Sequence, residues 1–280
     1  MNLKKYHKSY IYILGFSVIF VLSLIYIENL AKKNEGRNLP EYQAKRFIQT
    51  QSYNFKKDID SKKVKKNISI SQKKKNFIKS IYPIIKDSNN AILEQRKILF
   101  SIDKKIKDNN LNVLESAILK KLFKEYKIKD NDISELKKRI DIVPISLAIA
   151  QAAIESGWGT SRFALEGNAL YGQKIIGKEV NGIKPNEISN PKIKVRIFDN
   201  LNDSVDAYIK NLNTHFAYKN FRKSRIQARS LGKELQGLDL VNELNKYSEK
   251  GQDYVVSVKK IIKENKLEKY DFVDYQSAQR

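Results

Sequence analysis

A chain of 280 residues without cysteine is long enough for one or two domains, and it can carry no disulfide framework, thiolate metal site or thiol nucleophile. Its two histidines, His7 and His215, stand too far apart in sequence to suggest a histidine-rich zinc site, and no nucleophile-elbow sequence accompanies His215. With 54 Lys and Arg against 31 Asp and Glu, the formal charge is +23, which means either a polyanionic neighbour or simply a composition in which lysine is common.

In chain order, Lys4, Lys5, His7 and Lys8 precede an uncharged apolar run from Ile11 to Ile27 with tyrosines near both ends. A run of about 17 residues is at the short end of what spans a bilayer and longer than most signal-peptide cores. Ile27-Glu28-Asn29-Leu30-Ala31 offers no small-x-small cleavage site, so an uncleaved signal anchor over 11–27 is expected. Three lysines and no acid lead the run, whereas Glu28 to Arg37 mixes three basic with two acidic residues. The positive-inside rule then places residues 1–10 in the cytoplasm and everything after Glu28 on the outer side of the cytoplasmic membrane. An exported chain meets wall polymers and lipid head groups, so no nucleic-acid partner is expected.

Residues 28–90 read as a basic linker, with 15 basic against four acidic residues between Lys32 and Lys79 and little apolar period. It is either a plain spacer or an adhesive for anionic envelope polymers. Phe77 to Ile85 is the first segment able to dock on a folded body. Helical period begins at Ala91, with Ile92, Leu93, Ile98, Leu99, Ile102 and Ile106 on one face. It resumes over Leu111 to Tyr126, and a shorter helix is expected from Ile133 to Ile140.

Pro144 suits the first turn of a helix, ISLAIAQAAIES follows without a breaker, and Gly157 suits the position just past its end. Gln151 and Glu155 lie four apart and share a face with Ala148 and Ala152, a face narrow enough for a ligand to approach. The helix C-terminus disfavours a carboxylate ion, and burial beside Trp158, the only tryptophan, acts the same way. Both raise the acid towards the range of a glycosidase general acid, unless Glu155 is an ordinary surface residue near a helix end. Thr160 is the expected cap of a short helix to Glu166. Lys192 to Phe198 alternates with strand period, giving a small hairpin lobe whose Glu179 and Glu187 could face Glu155. Further helical signal is read at Ser204–Leu212, Leu231–Leu235 and Val255–Ile262.

Three strings in order, AQAAIESGWGTSRFALEGNALYGQ, FDNLNDSVDAYIKNLNTHFAYKNFR and KYSEKGQDYVVSVKKIIKENKL, resemble the Bax-type branch of the glucosaminidase family, glycoside hydrolase family 73. The resemblance covers residues 144–267 of an expected catalytic domain at 91–280. It implies an α+β, mainly α fold, with a lysozyme-like helical lobe and a small β-hairpin lobe. It also implies hydrolysis of N-acetylglucosaminyl-β-1,4 linkages in peptidoglycan strands without a metal or cofactor. By the same resemblance Glu155 is the general acid and Tyr247 the functional tyrosine, although Glu249-Lys250-Gly251 replaces the family's Thr-Asp-Pro. Glu187, or failing it Glu179, is the expected second carboxylate; otherwise the substrate's 2-acetamido group attacks. Gln151, Trp158, Asn168 and Tyr171 are the expected substrate-binding residues, with Trp158 and Tyr171 either lining the cleft or plugging the core. Asn213-Thr214-His215 is read as a helix end. A lytic transglycosylase or muramidase, and a non-catalytic wall-binding scaffold, are the competing readings.

Overall fold

The computed structural model describes residues 69–176, 182–185 and 193–272, all within the compact unit Phe55–Arg280. The expected membrane anchor, most of the basic linker, Glu179 and Glu187 lie outside these residues. Among the described residues no helix is long and apolar enough to cross a membrane.

The described part is mainly helical with one small sheet. Helix α1 spans Ile70–Lys107, α2 Val113–Glu125, α3 Ile133–Arg139, α4 Ile145–Ser156 and α5 Arg162–Gly167. Strands β1 (Lys174–Ile176), β2 (Gly182–Ile183) and β3 (Ile193–Arg196) follow, then α6 (Leu201–Thr214), α7 (Lys219–Ser230), α8 (Gly237–Leu240) and α9 (Gln252–Glu264). Short 3₁₀ turns sit at Phe216–Tyr218, Val241–Leu244 and Leu267–Tyr270.

Helix α1 begins about twenty residues before the expected start of helical period. Ser69 caps it by accepting from the Gln72 N–H, and Phe77, Ile78, Ile81, Ile84 and Ile85 are buried in the main core. Pro83 lies inside the helix on its exposed side, where the carbonyl left without a partner can face water. Lysines on the outer face and a mid-helix proline mask the period of the inner one.

Helix α4 is the centre of that core. Every residue from Ile145 to Ala153 is buried, including Ala148 and Ala152, so the alanine face is packed against protein and is not an open approach for a ligand. A helix apolar all round belongs inside. Its N-terminus has no cap of its own. Asp271 supplies one, its carboxylate accepting from the Ser146 N–H (2.8 Å), the Ser146 hydroxyl and the Gly237 N–H (2.9 Å). An anion is well placed at the positive end of a helix dipole.

The expected hairpin is a three-stranded antiparallel sheet in the order β1-β3-β2, with Lys174 opposite Val195 and Gly182 opposite Arg196. Two other expectations shift. The cap of α5 is Ser161, which accepts from the Ala164 N–H, in place of Thr160. Leu231–Leu235 is not helical, and Gly232 there takes a left-handed φ of 66°. The helix in that region is α7, which buries Phe221 but also Arg222 and Arg225.

The two guanidiniums belong to a polar hub. Asp141, buried, receives Arg229 at 2.9 Å, with Arg96 at 3.7 Å and Arg225 at 3.8 Å. Arg225 also donates to the carbonyls of Ile142 and Lys138 and to Asn213 Oδ1. Burial alone would raise the Asp141 carboxyl, but Arg225, Arg96 and Arg229 together hold it below the ordinary range.

Candidate active site

Glu155 is half-buried one residue before the end of α4. Beyond it the chain makes three successive left-handed residues: Gly157 (φ 56°), Trp158 (φ 60°) and Gly159 (φ 76°). A bulky residue there costs roughly 1–2 kcal/mol, and several bonds hold it. The Trp158 N–H donates to the Ala153 carbonyl (2.9 Å), the Ser161 N–H to that of Ser156 (2.9 Å), and the Gly159 N–H to Ser156 Oγ (2.8 Å). The indole packs edge-on against Phe77 at 5.7 Å, with Lys74 5.0 Å over its ring. Trp158 therefore clamps the end of α4 to α1.

The other side of Glu155 is built from tyrosines. Tyr171 stacks flat on Tyr208 (3.8 Å, 6°), Tyr247 stacks on Tyr254 (5.4 Å, 9°), and Tyr218 and Tyr208 flank Tyr247 at 6.1 and 6.4 Å. The Tyr247 hydroxyl reaches the Tyr171 carbonyl at 3.4 Å. Gly172, with a left-handed φ of 58°, brings bare backbone beside the acid: a Cβ there would lie 3.5 Å from Glu155 Oε2.

Gln151 ties this cage together. It is fully buried, so its amide meets side chains, not a ligand: Tyr208 donates to its Oε1 (2.7 Å), and its Nε2 donates to the Tyr254 hydroxyl (2.9 Å). That fixes the direction of the whole chain. A hydroxyl that accepts from an amide N–H has its own proton free to give, and Tyr254 is hydrogen-bonded to the Glu155 side chain. The relay runs Tyr208, Gln151, Tyr254, Glu155, each donating to the next.

Two influences oppose each other at Glu155. Burial raises its pKa and is the largest cause; the Tyr254 hydrogen bond and the charges of Lys250 and Lys174 pull it down, and the net direction is up. Burial also raises the tyrosines: Tyr218 is pushed up to about 12, and Tyr208, Tyr247 and Tyr254 are raised as well. All of these hydroxyls therefore remain neutral donors near neutral pH.

Of the residues expected from sequence, Glu155, Gln151, Tyr171 and Tyr247 come together. Tyr171 is buried with its ring in the stack and its hydroxyl without a hydrogen-bond partner among the described residues. Asn168 stands apart: it caps α5 with a left-handed φ of 51° and donates to the Phe198 (2.9 Å) and Asp199 (3.2 Å) carbonyls. His215 ends α6, its Nδ1 accepting from the Ala217 N–H at 3.3 Å, as read from sequence. Sequence reasoning missed Tyr208, Tyr218, Lys174 and Lys250, and it gave Tyr254 no role. Their only signal is that they fall within or beside the three family strings.

A half-buried acid with raised pKa, a polarised hydroxyl donor and a wall of aromatic rings suits proton donation to a leaving oxygen. The sequence profile of the glucosaminidase family, described as mannosyl-glycoprotein endo-beta-N-acetylglucosaminidase, matches residues 130–267. Protein bax of Escherichia coli (strain K12) is 35% identical over 213 residues, covering 74% of each chain. The chain belongs to the Bax-type glucosaminidase family. It is a glycoside hydrolase. The catalytic domain of the autolysin Auto from Listeria monocytogenes shows 16% identity and a TM-score of 0.41 over 78% of this chain and 98% of its own. So loose a likeness carries no argument about this glucosaminidase. Among its described residues there is no group of three or more His, Cys, Asp or Glu side chains that could hold a metal ion.

Proposed function

We propose that this protein hydrolyses peptidoglycan at N-acetylglucosaminyl-β-1,4-N-acetylmuramic acid linkages, with Glu155 as general acid. The observation that carries the reading is the pairing of a half-buried carboxyl with a tyrosine relay of fixed polarity. Tyr254 donates to one carboxylate oxygen, which leaves the proton of the acid form to the other. Glu155 gives that proton to the glycosidic oxygen as oxocarbenium character develops at the sugar. Lys250 and Lys174 then steady the carboxylate left behind.

The charges that act on Glu155 among the described residues are these two lysines, not a second carboxylate. One route is attack by the substrate's own 2-acetamido group, with the Tyr247 hydroxyl as its orienting partner; the other is water activated by Glu187, which lies outside the described residues. Substitution Glu187→Gln separates the two directly. Retained cleavage supports the acetamido route, whereas a loss as large as that of Glu155→Gln assigns water activation to Glu187.

We place the catalytic unit outside the cytoplasmic membrane, tethered by residues 11–27, on the strength of the apolar run and its flanking charges. The deciding assay digests purified peptidoglycan with the full chain, reduces it with borohydride and identifies the new ends by mass spectrometry. Reduced glucosamine is expected. Reduced muramic acid would make the protein a muramidase, anhydro ends a transglycosylase, and no new ends a binding scaffold. The full chain is required because a fragment starting at residue 91 would lack Phe77, Ile78, Ile81, Ile84 and Ile85, which lie in the core around α4.

A further inference from the structure

A concave surface lies between the first turns of α1 and the segment that follows α9. It is a groove of about 690 Å³, walled by Lys74, Lys75 and Lys79 on one side and by Lys266 and Lys269 on the other. Among the described residues only one acid, Glu264, lines it, and Lys260 of its own helix holds that carboxylate at 3.8 Å. None of the five lysines forms an ion pair among the described residues, and all but Lys74 are exposed. Lys75 and Lys79 stand four residues apart on α1, so their side chains start about 6 Å from one another along the groove. Lys266 takes a left-handed φ of 51° in the turn after α9.

The groove also has an aromatic surface. Tyr82 and Tyr270, both half-buried, meet at 4.8 Å with their rings tilted by 41°, and Lys269 sits 5.1 Å over Tyr270. Each ring offers a flat apolar face with a polar tip.

We propose that this groove is a secondary binding site for a phosphate-bearing saccharide chain, the sugars lying on Tyr82 and Tyr270 and the phosphates between the two lysine rows. The lysines supply point charges that match phosphate, without the planar fork that guanidinium offers to carboxylates. A concave cleft with a ring at its base fits one strand better than a flat bilayer. The choice of a saccharide over a polynucleotide rests on the glycan-cleaving reading above. Lys74 links the two places, because it lines the groove and lies over Trp158, whose turn ends the catalytic helix.

That link provides the assay, since Trp158 is the only tryptophan of the chain. Full-length protein is titrated with phosphorylated dextran while Trp158 emission and heat of binding are recorded. Saturable binding is expected, weakening roughly 20- to 40-fold between 50 and 200 mM salt if about three phosphates are neutralised. Unmodified dextran should bind at least tenfold more weakly. The triple substitution Lys75→Glu, Lys79→Glu, Lys269→Glu should weaken binding at least tenfold with an unchanged melt, and the corresponding Lys→Gln triple should fall between. Glu155→Gln should leave binding intact, so failure of the hydrolase reading and failure of the groove are read separately. The proposal is overturned by absence of binding, by equal affinity for plain dextran, or by unchanged affinity of the Glu triple. Tighter binding to phosphatidylglycerol vesicles would make the groove a membrane contact, and tighter binding to an oligodeoxythymidylate a nucleic-acid site; either also overturns it.

Discussion

Glu155 and Asp141 are both carboxylates withdrawn from water, and the chain treats them in opposite ways. Asp141 is wrapped by Arg96, Arg225 and Arg229 and held below its ordinary pKa. Glu155 is wrapped by neutral tyrosines, with two lysines acting from further out, and sits above its own. Cations around a buried carboxylate fix its charge and make a joint. Hydroxyls around one leave the charge free to change, and a proton can then be given away. Burial is common to both; the neighbours decide whether the acid supports the fold or does chemistry.

The largest break in that comparison is Glu155→Gln. It keeps shape and removes the proton, so cleavage of peptidoglycan should fall by about 10²–10⁴-fold, the usual contribution of a general acid. Near-normal turnover in a reducing-end assay would end the assignment. Asp141→Asn is the mirror experiment. It leaves buried Arg225 without its counter-charge, and breaking such a pair costs about 3–5 kcal/mol. The melt should drop by roughly 6–20 °C for a unit of this size, while activity per folded molecule at low temperature stays within about twofold. The pH dependence follows the same logic. The stabilisation from Asp141 is fully present above the ordinary aspartate range near pH 4, and it is lost as pH falls through the lowered value. An acid melt of the Asn variant should therefore be flatter than that of the parent.

Tyr254→Phe sharpens the contrast from the catalytic side. Without its donor the Glu155 carboxylate is less favoured, so the alkaline limb of the pH–rate profile should move to higher pH. The maximal rate should drop about tenfold, the size of one well-aligned hydrogen bond. An unmoved limb would mean that the relay does not reach the acid. The smallest effect is again at Glu155. Because its folded pKa is raised, its ionisation opposes folding as pH rises past the ordinary glutamate value near 4.3. Glu155→Gln should thus raise the melt by a degree or two at pH 7 and by nothing at pH 3; a lowered melt at pH 7 would contradict the assignment.

These two surroundings were unequally legible in the sequence. Helix α4 was readable because Ile145 to Ser156 holds no breaker and Gly157 follows; α9 and α3 were readable from period. Helix α7 was not, since it packs through Arg222 and Arg225, and buried guanidiniums leave no apolar stripe to count. Half of α1 hid behind lysines and Pro83. Glu155 could be singled out by position, but its cage could not be. Tyr171, Tyr208, Tyr218, Tyr247 and Tyr254 are gathered from places far apart in the chain, and the direction of the Gln151 relay exists only once they meet. Sequence also placed Gln151 on an open face, where packing instead closes α4 on every side.

The bond from Asp271 to the start of α4 has a practical side. Residues that are 125 apart in the chain share it, so the helix carrying Glu155 is finished only after residue 271 has been made and delivered. The same bond bears on where the chain can be cut. A fragment trimmed to the family match, residues 130–267, keeps every signature motif yet discards both the Phe77–Ile85 buttress and the Asp271 cap.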